Sequence, residues 1–133
     1  MANILSNLDG IPIIPVIGNN DIHPHNSMTD GKGEFLERVS KIWHNFLSEE
    51  QQAEFSDGGF YSIYPVPGLK ILVMNTLFYY EDYCPYNTTI DNMRYCIKNQ
   101  TQLHTRVLPD DPSGQFNWMN NQLELSKQNG DKY

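Results

Sequence analysis

Positions 19–26 hold six side chains able to bind a metal ion or move a proton: Asn19, Asn20, Asp21, His23, His25 and Asn26. Amide and carboxylate oxygens suit divalent cations, and imidazole, with an ordinary pKa of about 6.5, exchanges its proton close to neutrality. The cluster follows Ile13, Ile14, Val16 and Ile17, a β-branched apolar run that reads as a buried strand closed by Gly18. In an open α/β sheet, ligands gather just beyond the carboxyl ends of strands, so a buried strand running into such a cluster is where chemistry is expected. The plainer reading is a polar strand-to-loop turn, because Gly, Asn, Asp and Pro are the ordinary turn residues.

The elements around the cluster are legible as periods. Ile4 and Leu8 lie one helical turn apart, and Asp9-Gly10 breaks that helix before the strand. Residues 26–33 form a polar, glycine-containing loop. From Glu34 onward, Phe35, Val39, Ile42, Trp43, Phe46 and Leu47 recur every three or four residues and predict a helix with a wide apolar face. Ser48-Glu49-Glu50-Gln51 has the form of a capping box, opening a second helix through Phe55 that Asp57-Gly58-Gly59 ends. Phe60–Tyr64 alternates as a strand, Pro65–Gly68 turns the chain, and Leu69–Met74 is an almost continuous apolar run expected to be covered on both faces. Residues 78–110 hold Tyr79, Tyr80, Tyr83, Tyr86, Tyr95 and both cysteines without a clear period, and read as an irregular insertion loop. Asp111 or Ser113 then caps a helix with Pro112 near its start and Phe116, Trp118, Met119, Leu123 and Leu125 as its apolar residues. Asn129-Gly130 ends it, and Lys132-Tyr133 begins the next strand.

With 133 residues and 39% hydrophobic content, the chain amounts to one domain at most. A net charge of -7 argues against a nucleic-acid or anionic-membrane partner, since phosphate selects positive surface. A polyanionic substrate would be repelled too, unless metal ions supplied local positive charge. No apolar run approaches the ~18 residues of a membrane span. The first nine residues lack the basic and long apolar regions of a signal peptide and read as the end of a helix.

Gly18-Asn19-Asn20-Asp21 resembles the Gly-Asn-His-Asp/Glu motif of calcineurin-like metallophosphoesterases, with Asn20 where that motif has His. The continuation through His23-Pro24-His25-Asn26 is most similar to the endopolyphosphatase branch of the acid sphingomyelinase-like phosphodiesterases. Further blocks agree in order: the Trp43 helix, Gly58–Ser62, Asn75–Tyr80, and Asp111–Trp118. The resemblance implies an α/β sandwich of which residues 1–133 supply central strands and flanking helices, as a fragment of the phosphoesterase domain incomplete at both ends. It implies metal-assisted hydrolysis of a phosphodiester or phosphoanhydride bond, in a sphingomyelin, a nucleotide or polyphosphate. Two divalent ions, zinc or else manganese or iron, would clamp the attacking and leaving oxygens.

Of the family's ligands only one position maps here: Asn19, through its amide oxygen. The family's His at position 20 is read as the acid that protonates the leaving oxygen, and asparagine cannot do this. His25, and after it His23, are the replacements, while Asp21 orients the loop or a neighbouring histidine. His44, on the helix, and His104, in the insertion, are expected to be solvated. Trp43 and Trp118 are expected as core anchors. Cys84 and Cys96 could close a disulfide worth about 3 kcal/mol in the chain-entropy model, or remain thiols. Asn87 and Asn99 begin glycosylation sequons, one inside that cysteine pair and one just after it. Together these favour the secretory route: a vacuole or lysosome lumen, or the outside. One recognisable ligand, sequons without a signal peptide, and an end where a strand begins make the expected piece of a larger enzyme, inactive if it stands alone.

Overall fold

A computed structural model of the chain describes residues 11–23, 33–79 and 111–133. Among them are helices α1 (Glu34–Ile42), α2 (Glu49–Gly58) and α3 (Gln115–Asn129), strands β1 (Tyr61–Val66) and β2 (Leu69–Val73), and short 3-10 turns at Thr76–Tyr79 and Pro112–Gly114. The mixture is that of an α/β chain. The predicted strand at 13–17 takes up no regular secondary structure and pairs with no described strand. Pro12 and Pro15 have no N–H to donate to a ladder. The segment is held by its side chains instead: Ile17 is buried, and Ile14 and Ile22 pack against the same core.

The helix predicted from Glu34 through Leu47 stops at Ile42. Trp43 takes up φ −90°, ψ 10°, and its carbonyl accepts from both Phe46 and Leu47 N–H groups, closing a turn. That turn drops Leu47 into the core and leaves Ser48 extended, ready to cap α2. Ile42, which the period placed on the apolar face, is 59% exposed, while Leu36 and Ser40 face inward. The Ser40 hydroxyl donates to the Gln52 carbonyl and ties α1 to α2. At the start of α2 the capping box forms as predicted: Ser48 Oγ accepts from Gln51 N–H, and Gln51 Oε1 accepts from Ser48 N–H.

β1 and β2 form an antiparallel hairpin with Tyr61 opposite Val73 and Ile63 opposite Ile71. The pairing then slips, so that Val66 meets Leu69 with one residue more on β1 than on β2. Pro65, which lacks an N–H, sits in this irregularity, so β1 runs two residues beyond its predicted end and the turn shrinks to Pro67-Gly68. On its other side β2 meets the chain's end: Lys132 N–H donates to Gly68 O and Lys70 N–H to Lys132 O, a parallel bridge. Lys132 thus takes the strand position that the sequence predicts, and β2, α3 and Lys132 stand in βαβ order.

Both ends of α3 are shaped by specific caps. Both Asp111 carboxylate oxygens accept N–H groups of α3, from Phe116 at 2.7 Å and Asn117 at 3.0 Å, so Asp111 rather than Ser113 serves as the cap. At the other end Gly130 is left-handed and Asp131 N–H reaches back to Ser126 O, a Schellman closure. The buried positions of α3 are Gln115 and Ser126; Phe116 and Leu125, two of its apolar residues, are exposed. Phe78 is fully buried and Tyr79 half-buried in the 3-10 turn, so these two residues, read as the start of the irregular insertion, belong with the core, and 80–110 lie outside the described residues. The core joins Ile17, Leu36, Leu47, Phe55, Tyr61, Val73, Leu77 and Phe78.

Candidate functional site

The Gly18–His23 loop is built by a reciprocal turn. Gly18 N–H donates to Asp21 Oδ2 at 2.7 Å, and Asp21 N–H returns to Gly18 O at 3.1 Å. Asp21 therefore spends one carboxylate oxygen holding the loop, its side chain reaching back three residues to the main chain. The two residues between are left outward: Asn19 and Asn20 are exposed, and so is His23. Ile17 and Ile22 bracket the turn and both pack on the core, so the polar tip is a short excursion between two apolar footholds. His25 and Asn26 lie outside the described residues, as do Cys84, Cys96, Asn87, Asn99 and His104. His44 is exposed on the turn after α1, with Nδ1 2.9 Å from Lys41 O.

The foothold below the loop is aromatic. Tyr61 is fully buried in contact with Phe55, at 6.3 Å and nearly edge-on, and Phe55 meets Trp43 at 5.0 Å. The Tyr61 hydroxyl donates to Pro15 O at 2.8 Å, 46 residues away in the chain. Burial pushes the Tyr61 phenol well above its ordinary value of 10.0, so it stays a donor. Trp43 and Trp118 are both half-buried anchors, the latter stacked on Phe60 at 4.7 Å.

Sequence reasoning missed two polar clusters. In the first, Asn75 N–H donates to Gln115 Oε1 and Gln115 Nε2 returns to Asn75 O, so the Gln115 side chain pairs with the Asn75 main chain as a strand would. Asn75 Nδ2 donates to Gly58 O, and Asn75 Oδ1 accepts from Leu77 N–H. Both side chains are buried. In the second, Glu54 accepts from Ser62 N–H, Trp118 Nε1 and Gln122 Nε2, joining α2, β1 and α3. Buried Lys70 donates to Gln122 Oε1 and lies 5.2 Å over the Tyr64 ring, whose hydroxyl donates to Asp131. A polar residue at a strand's end and another at a helix's first position were visible in the sequence, but nothing local said that they would meet.

Asn19 carries an exposed amide oxygen two residues before Asp21, a donor type that divalent ions accept. No group of three His, Cys, Asp or Glu side chains suited to a metal occurs among the described residues. Further ligands would therefore come from outside them.

No family model matches the chain. An endopolyphosphatase from Neurospora crassa is 37% identical over 86 residues, which is 61% of this chain and 12% of the relative. The sphingomyelinase phosphodiesterase C of Dictyostelium discoideum is 31% identical over 133 residues, 99% of this chain and 25% of the relative. The human sphingomyelin phosphodiesterase is 26% identical over 132 residues, 94% of this chain and 18% of the relative. The chain thus spans between about an eighth and a quarter of the length of these curated relatives. The aligned stretches, like the motif at Gly18–Asp21, assign the chain to the metallophosphoesterase superfamily, with endopolyphosphatases and acid sphingomyelinase-like phosphodiesterases as its homologues.

Proposed function

We propose that residues 18–26 form one edge of the catalytic site of a metal-dependent phosphoesterase that hydrolyses phosphodiester or phosphoanhydride bonds. The observation that carries this reading is the Asp21-closed turn, which holds Asn19 and Asn20 outward from a core-anchored segment in a chain whose homologues are phosphoesterases. Asn19 lends its amide oxygen to one of two divalent ions, zinc or else manganese or iron. Those ions would polarise the phosphoryl group and supply hydroxide as the nucleophile. Asn20, which cannot give up a proton, can orient a phosphoryl oxygen through its amide N–H groups. His25, and after it His23, moves the proton on the leaving oxygen. Asp21 keeps the turn.

The chain carries a net charge of -7, so a polyanionic substrate depends on bound cations for attraction. The parallel bridge from β2 through α3 to Lys132 supports an α/β architecture for that enzyme. A Cys84–Cys96 bridge and glycans on Asn87 and Asn99 suit the secretory route.

The reading is tested with bis-p-nitrophenyl phosphate and with polyphosphate, in the presence of zinc or manganese. Asn19→Ala is expected to reduce metal-dependent turnover by at least the roughly 10- to 100-fold that loss of an outer-sphere partner costs. Equal and measurable turnover by both proteins would remove Asn19 from the mechanism, and measurable turnover unaffected by a chelator would remove the metals. Metal held at Asn19 without turnover would leave a chain that keeps the binding edge but not the reaction.

A further inference from the structure

We propose that Tyr61 is a positioning residue for the Gly18–His23 loop, acting through the hydrogen bond from its hydroxyl to the Pro15 carbonyl. The loop itself is closed only by its own short turn, Gly18 to Asp21. Behind it, the segment from Ile11 to Ile17 belongs to no described sheet. Among the described residues, the Tyr61–Pro15 bond is the one hydrogen bond that ties residues 11–23 to the rest of the chain. Apolar contacts of Ile14, Ile17 and Ile22 hold the segment against the core but do not fix its position along its own axis, because dispersion and burial are non-directional. A hydrogen bond is directional, and it supplies that register.

The donor is itself rigid. Tyr61 opens β1, pairs with Val73 across the hairpin, and is fully buried against Phe55. Pro15 has only its carbonyl to offer, and three residues later the chain reaches Gly18. The position of the Asn19 amide is thereby referred to β1, since the segment leading to it pairs with no strand among the described residues.

Tyr61→Phe removes the hydroxyl and keeps the ring. The Gly18 and Asp21 amides report on the turn, and the Gln52 and Gly59 amides of α2 report on the fold as a whole. In Tyr61→Phe, hydrogen exchange at Gly18 and Asp21 is expected to quicken about 3- to 10-fold, the factor matching one hydrogen bond of ordinary net worth, with Gln52 and Gly59 unchanged. The metal arm rests on the reading proposed above: Mn2+ broadening of the Asn19 side-chain amide signals should require more Mn2+ in the variant by a similar factor. Uniform acceleration at all four amides would make Tyr61 merely a core residue and overturn the proposal, as would no change at Gly18 and Asp21. Local loosening in a protein whose Asn19 never responds to Mn2+ would uphold the anchor and sink the metal assignment instead. Should the variant not fold, the wild-type hydroxyl proton decides. A slowly exchanging Tyr61 signal close in space to Pro15 supports the bond, and a hydroxyl in rapid exchange with water rules it out.

Discussion

Asn75 and Asn19 are the same residue type at the ends of two apolar runs, and the molecule uses them in opposite ways. Asn75 follows β2, is fully buried, and meets main-chain groups of Gly58, Leu77 and the Gln115 side chain. Asn19 follows the Ile13–Ile17 run and stands exposed on a turn that Asp21 closes without its help. A buried amide must find partners, because an unpaired polar group out of water costs more than the pair contributes. An exposed amide has water as its partner and can exchange it for a metal or a phosphoryl oxygen. What separates an architectural asparagine from a candidate catalytic one here is therefore burial with full hydrogen bonding, not local sequence.

The largest break in this contrast should come from Asn75→Leu. It fills the space but orphans the Gly58 carbonyl and the Leu77 N–H, at a cost of about 3 kcal/mol or more, read from the midpoint of denaturant unfolding. A midpoint close to wild type would mean that solvent reaches this cluster. Gly59→Ala probes the same hub from the other side. Gly59 is left-handed at φ 77°, and an added methyl group would stand 2.8 Å from Asn75 Nδ2, so about 2 kcal/mol of stability should be lost by the same measurement.

Alkaline pH tests the anchor between the two regions. The phenols of Tyr61, through burial, and of Tyr64, chiefly through its hydrogen bond to Asp131, lie above the ordinary value of 10.0. Above pH 10 the unfolded chain has released protons that the folded chain still holds, so stability is full below that pH and falls as pH rises beyond it. The Tyr61 contribution should approach about 1.4 kcal/mol per pH unit, and Tyr61→Phe should flatten that slope in unfolding titrations between neutral and alkaline pH. The smallest stability effect is expected at the exposed end: Asn19→Ala and Asn20→Ala should shift the unfolding midpoint by no more than about 0.5 kcal/mol. A large destabilisation by either would place these residues with Asn75 and against a role in binding.

The readable parts of this chain were those that local chemistry decides. The Ser48–Gln51 capping box, a cap at Asp111 or Ser113, the Gly59 and Gly130 helix ends, the turn within Pro65–Gly68 and the polar turn at Gly18–Asp21 all depend on residues within a few positions of one another. The family motif was legible for the same reason, since it is a contiguous string. Where the prediction overran, a distant contact had intervened. α1 ends at Ile42 because the following turn lets Trp43 reach Phe55 and Leu47 reach the core. In α3 the apolar Phe116 and Leu125 stay exposed, while the buried positions are taken by Gln115, which pairs with Asn75, and by Ser126.

Sequence by itself thus determined the helices, the β1 and β2 strands and the polar turn, all governed by backbone preferences and hydrogen bonds of short range, while the 13–17 run read as a strand pairs with no described strand. Only the tertiary structure decided which polar residues are buried, that Glu54 and Asn75 join elements far apart in the chain, and that Tyr61 holds the segment leading to Asn19. Those outcomes depend on side chains separated by up to 68 residues finding one another while excluding water, and no local pattern encodes such a meeting.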